Sequence, residues 1–324
     1  MYAILGAQEA EKRKLPIGGI LRAHPASYHC GAYLGCDIQT MPEAICVDTG
    51  REIGYGTAPL KQSPITGGKV WPWVLQHGGR SYRPREIHHL FYGRTHVVFG
   101  WQRKDREHTV PWEHLGGYCA DAVRDALLIH KANDRSLAYL FGWMAHIVGD
   151  SLIKSVQPGV DLHLHGGKYT PANRPIQDLV TFHEVGRKEL KLDWLAILDG
   201  LAKTPVEDVQ FHYMRVANRR GELGDSFGNA WAPEHTGLLG RVLHENRRYQ
   251  AIRNPRLLKQ LELHKTKNGW DCDPALNKQS LGLHYLEMVE LAKKANFRHA
   301  LWQIGSAIAD LFVDVVERVP ELQR

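Results

Sequence analysis

The sequence predicts an all-α fold, and three observations carry that expectation. Apolar residues recur at helical spacing through most of the stretch between about 112 and 201. A second long helical pattern closes the chain, from about 274 to 319. No strand-like alternation recurs and no repeat period is visible. The expected organisation is a single helical bundle with long loops over 1–324, in which 205–324 is a candidate C-terminal helical extension packed on the rest.

Taken in order, residues 1 to about 70 carry many Gly and Pro among short apolar runs, and read as irregular structure with a few helical turns. From about 71 to 111 aromatic residues are dense and interleaved with His88, His89, Arg94, His96 and Arg103, the material of a core or of a ligand groove. A helix is expected over 112–131. The segment Lys131-Ala132-Asn133-Asp134 is a turn, with Asp134 or Ser136 capping the next helix, about 135–155. The two form an αα-hairpin. A loop rich in Gly, Pro and His follows at 157–175, then a helix from about 176 to 201. Past 205 the pattern is again helical, with a Gly-rich interruption near 221–240.

The 43% hydrophobic and 23% charged content, with no apolar run approaching the roughly 20 residues a bilayer span needs, describes a globular chain without a transmembrane segment. The first residues lack the basic-then-apolar order of a secretory signal, so the expectation is a cytoplasmic protein, or a secreted one from which a signal has been removed. Five cysteines without CxxC spacing indicate neither a disulfide framework nor a thiolate zinc site. The net charge of +6 favours contact with phosphates, anionic lipid or nucleic acid without choosing among them. Nineteen histidines are more than a surface requires, and histidine is the commonest metal ligand.

The most informative stretch is Phe141-Gly142-Trp143-Met144-Ala145-His146-Ile147-Val148-Gly149-Asp150. A spacing of four puts His146 and Asp150 on one helical face, one turn apart, within reach of a single cation. Leu137, Leu140, Phe141, Met144, Val148 and Leu152 make this helix apolar on most sides. An ionised carboxylate is costly there unless it is paired or bound to metal. A buried His–Asp hydrogen bond orienting two helices would also satisfy the pair without a metal. Earlier in the chain, Asp37 closes a segment of small and apolar residues that begins at His29, and His96 opens the apolar turn Val97-Val98-Phe99.

These residues resemble a known family. Gly142 to Asp150 is similar to the glycine-x-x-x-histidine-x-x-glycine-aspartate helix of zinc-dependent phospholipase C, whose fold is shared with fungal single-strand-specific nucleases and 3′-nucleotidases. Tyr33-Leu34-Gly35-Cys36-Asp37 is similar to that family's segment ending in a metal-binding aspartate, and Arg94-Thr95-His96-Val97 to the segment bearing its next histidine. The order of the three agrees with the family, and the resemblance covers about residues 20–190. It implies a mostly helical hydrolase with two or three zinc ions, one of them held by Asp37, His96, His146 and Asp150, and a metal-bound hydroxide attacking the phosphorus of a phosphoester. Asp37 would also orient or deprotonate that water. The implied substrate is a phospholipid head group, or a nucleotide or nucleic acid.

The chain departs from the family pattern at several points. The family histidine about six residues after the aspartate is here Val156, and His163 or His165 would stand in for it. A second helical histidine–acid pair is missing; Glu184 ranks first and Asp178 second as the acid. His183 adjoins Glu184, but neighbours on a helix point about 100° apart and do not easily share an ion. Secreted members use an N-terminal tryptophan amine as a ligand; this chain opens Met1-Tyr2, so a third metal would lean on His24 or His29. A single-strand nuclease on the same fold, and a non-catalytic helical protein stabilised by zinc, are the alternative functions.

Overall fold

In the computed structural model, the structure describes residues 1–34, 44–49, 52–53, 61–64, 66–71, 74–83, 98–99, 109–110, 112–153, 172–204, 238, 241–242, 244–245, 254–255, 258–267 and 269–323. Those residues are mostly helical, as expected of an all-α chain. The first 34 depart from expectation. They form three consecutive helices, α1 (Tyr2–Lys12), α2 (Pro16–Ala23) and α3 (Pro25–Leu34). The prolines that suggested irregular backbone open α2 and α3, where a missing N–H costs nothing. The glycines that suggested it lie in helix contacts: Gly6 against Ile308, Gly31 against the backbone of Tyr139.

Short strands follow, too small to form a layer. Strands β1 (Ala44–Cys46), β2 (Glu52–Ile53) and β3 (Val70–Trp71) make an antiparallel sheet in the order β2-β1-β3. A hairpin of β4 (Leu75–His77) and β5 (Arg80–Tyr82) turns through Gly78 and Gly79, both at positive φ, as a tight two-residue connection requires. Two-residue strands β6 (Val98–Phe99) and β7 (Thr109–Val110) pair in parallel.

The hairpin of α4 (Leu115–Leu128) and α5 (Asp134–Ile153) matches the expected boundaries closely. Its cap differs from both expected residues: the Asn133 side chain accepts the Ser136 backbone N–H at 3.0 Å, so the capping oxygen comes from one residue earlier. Helix α5 is central, with Phe141, Trp143, Met144, Ala145 and Val148 all fully buried, and it packs on α1, α2, α3, α4 and the last helix.

The helix expected over 176–201 is broken in two. Helix α6 (Asn173–Leu179) widens into a π-helical segment, Val180–Glu189. That segment ends at Lys191 in the left-handed region, and Asp193 then caps α7 (Trp194–Lys203) by accepting the Ala196 N–H at 3.0 Å. The single closing helix is likewise three: α8 (Pro274–Gln279), α9 (Tyr285–Lys294) and α10 (Phe297–Arg318), interrupted where Leu281, Gly282 and Asn296 take positive φ. A hairpin of β8 (His264–Thr266) and β9 (Gly269–Asp271) precedes them. Helix α10 is long and apolar enough to cross a membrane by length and composition, but 56% of its apolar window is buried inside the protein, against α1, α4 and α5. The first and last helices therefore share one core.

Candidate functional site

The site begins where α3 crosses α5. The two helices touch backbone to backbone: a Cβ on Gly31 would lie 1.9 Å from the Tyr139 carbonyl oxygen, and one on Gly142 would lie 1.9 Å from the Tyr28 carbonyl oxygen. One turn along α5 from Gly142, the half-buried His146 ring donates its Nδ1–H to the Ala32 carbonyl at 2.9 Å. The acceptor has no proton to give, so the ring carries a proton on Nδ1, and Nε2 is the nitrogen that a cation would take on the neutral ring. An imidazole oriented in this way by a backbone carbonyl is the usual state of a metal-ligating histidine.

The N-terminal turn of α1 closes over the same end of α5. The Tyr2 ring covers Gly149, where a Cβ would come within 2.2 Å of Tyr2 Cε2. Asp150 is the next residue on α5, one helical turn beyond His146. The Tyr28 hydroxyl donates to the Ala3 carbonyl at 2.7 Å and ties α3 to α1. Burial pushes the Met1 amino group down to about 6, against an upward pull from Asp178. Burial, with a smaller contribution from the Met1 ammonium, pushes His29 down to about 4. At neutral pH His29 is therefore an uncharged imidazole, the form that binds metal. His29 lies one turn before Ala32 on α3. Met1, His29 and Asp178 thus share one electrostatic neighbourhood, beside the helix that carries His146.

His183 and Glu184 have other engagements. His183 is buried; its Nε2–H donates to the Leu261 carbonyl at 2.7 Å and its ring meets Phe182 and Tyr285 edge-on. Burial is the main reason its pKa is lowered. Burial also pushes Glu184 upward, but donation from Lys188 at 2.6 Å and from the Tyr285 hydroxyl outweighs it and holds the carboxyl below its ordinary value. Both residues serve the packing of the π-helical segment on α9. Of the two candidate acids, Asp178 is the one whose charge is felt at Met1. It is largely exposed and lies 3.9 Å from Arg174.

Asp37, His96, His163 and His165 lie outside the described residues, as does the side chain of Asp150. Among the described residues no group of three or more His, Cys, Asp or Glu side chains is placed to hold an ion. The two described imidazoles, one oriented through Nδ1 and one held neutral, are of a ligand type that suits zinc. Sequence reasoning missed the Ala32 carbonyl, because backbone groups carry no residue-type signal. The chain matches no protein-family model, no curated protein and no solved structure with which it was compared.

Proposed function

We propose that this chain is a zinc-dependent phosphoester hydrolase with a phospholipase C-like helical architecture. One observation carries the reading: a half-buried histidine one turn from an aspartate on α5, its Nδ1–H committed to a backbone carbonyl.

Two or three zinc ions are proposed, with His146 and Asp150 as ligands on α5 and Asp37 and His96 completing the set that the family resemblance implies. Asp178 would supply the acid of the second ion, and a third ion would lean on His24 or His29. Either His163 or His165 would add the donor that Val156 lacks. When bound, the ions would make water nucleophilic at neutral pH and offset negative charge on the phosphoryl oxygens. Asp37 holds or takes the proton of the attacking water at its carboxylate. His146 contributes orientation, since its ring direction is set before any ligand arrives. The Tyr2 ring over Gly149 covers α5 beside Asp150 and shields that turn of helix from water.

A nuclease or 3′-nucleotidase on the same fold is the second reading, favoured by the net charge of +6. Hydrolysis of phosphatidylcholine and of single-stranded DNA, assayed side by side with and without chelator, separates the two. The first reading expects chelator-sensitive release of the phosphorylated head group and the second expects cleavage of DNA. Absence of turnover on both, with a melting temperature that chelation still lowers, identifies a zinc-stabilised protein without this activity.

A further inference from the structure

We propose that the Gly31–Gly142 crossing is the device that aims His146. The inference rests on the metal-site reading above and adds to it the residues that position a ligand without touching the ion.

The half-buried Ala32 carbonyl accepts the His146 Nδ1–H at 2.9 Å. Whether the ring can reach is decided by the separation of the two helices. The crossing fixes that separation at two reciprocal points, Gly31 on the Tyr139 carbonyl and Gly142 on the Tyr28 carbonyl and the Ala32 nitrogen. Gly31 adjoins the acceptor residue in sequence, and Gly142 stands four residues before the donor on the same helical face.

The magnitudes are decisive. A methyl group at position 142 would stand 1.9 Å from one backbone oxygen and 2.8 Å from a backbone nitrogen, and neither atom can rotate away as a side chain can. The helices would have to part by about an ångström, which stretches a 2.9 Å hydrogen bond beyond any useful length. The ring would then lose the contact that places its proton on Nδ1, and with it the pre-set direction of Nε2. Gly31 and Gly142 are in this sense positioning residues.

Two readouts test this on the purified full-length protein. The first is the tautomer of His146, from nitrogen-15 chemical shifts of the labelled imidazole, assigned by its loss in His146→Gln. The expected state is Nδ1 protonated and Nε2 bare of hydrogen. The second is zinc affinity by competition with a chromophoric chelator. Gly142→Ala is expected to abolish the tautomer bias and weaken zinc binding on the order of ten- to hundred-fold. Gly305→Ala, at the α1–α10 crossing where no histidine reaches across, is expected to lower the melting temperature and leave both readouts unchanged. Zinc bound by a wild-type protein whose His146 carries its proton on Nε2 would overturn the positioning inference alone, as would unchanged tautomer and affinity in Gly142→Ala. An Nδ1-protonated ring in a protein that binds no zinc would overturn the metal reading and the claim that the ring is aimed at a cation. If Gly142→Ala fails to fold, the wild-type tautomer decides.

Discussion

Two helix crossings built on glycine hold this fold together, and they differ in what the glycine meets. Where α1 passes α10, a Cβ on Gly6 would strike Ile308 Cγ2 at 2.5 Å and one on Gly305 would strike Leu5 Cβ at 2.7 Å. Where α3 passes α5, both glycines face carbonyl oxygens at 1.9 Å. Leu5 Cβ and the branched Ile308 side chain are held close to their backbone and yield little, but the contacts at the second crossing are closer and are backbone oxygen itself, so the second has the less give. The polar pair of the candidate site sits beside the crossing with less give. Rigidity there serves a ring that must point one way, whereas the α1–α10 crossing joins its helices through apolar packing and the Arg13 contacts to Asp310 and Ser306.

The comparison breaks most sharply under a methyl probe. Gly142→Ala should cost about 3 kcal/mol of stability and Gly305→Ala about 2 kcal/mol, within the range for overpacking, with the larger cost where the contact is a backbone oxygen at 1.9 Å. Denaturant midpoints at constant m-value measure both, and equal costs would erase the distinction. A smaller effect comes from the strap between α3 and α1. Tyr28→Phe removes a buried hydrogen bond to the Ala3 carbonyl and should cost about 1 kcal/mol, while zinc content stays unchanged because the Ala32 contact is untouched.

The smallest effect lies far from either crossing, at the start of α9. His284 Nδ1 meets Asp271 Oδ2 at 2.5 Å, and Asp271 also accepts the backbone N–H groups of Tyr285 and Cys272. Burial pushes Asp271 upward, but these donors outweigh it and hold its pKa below the ordinary 3.8. Its hydrogen bond to Asp271 raises His284 above the ordinary 6.5. The histidine's contribution is fully present below pH 6.5 and is lost as pH rises through its raised value. The aspartate's contribution is present above pH 3.8 and is lost as pH falls through its depressed one. A melting-temperature profile should therefore show a shallow decline above pH 6.5 that His284→Gln removes, with no change in the contrast between Gly142 and Gly305 variants. A decline of the same depth in His284→Gln would assign it to another group.

Much of the central helix was legible in the sequence. The α4–α5 hairpin and the shared face of His146 and Asp150 follow from apolar periodicity and a spacing of four. The helices of the first 34 residues were not legible, because Pro16 and Pro25 act as first-turn residues and Gly31 as a contact point. Only the partner surfaces show this. The π-helical segment at Val180–Glu189 has no period that separates it from an α-helix in sequence, and the break at Lys191 depends on one backbone torsion. Within the site, titratable side chains were found by residue type. The Ala32 carbonyl was not, since which backbone group meets His146 is decided by how α3 lies on α5.

Elemental analysis of the purified protein tests the central claim most directly. The account predicts two or three zinc ions per chain, with the count falling by at least one in His146→Ala and in Asp150→Ala while both variants retain helical circular dichroism. Zinc absent from the wild-type protein, or present at the same stoichiometry in both variants, would contradict it.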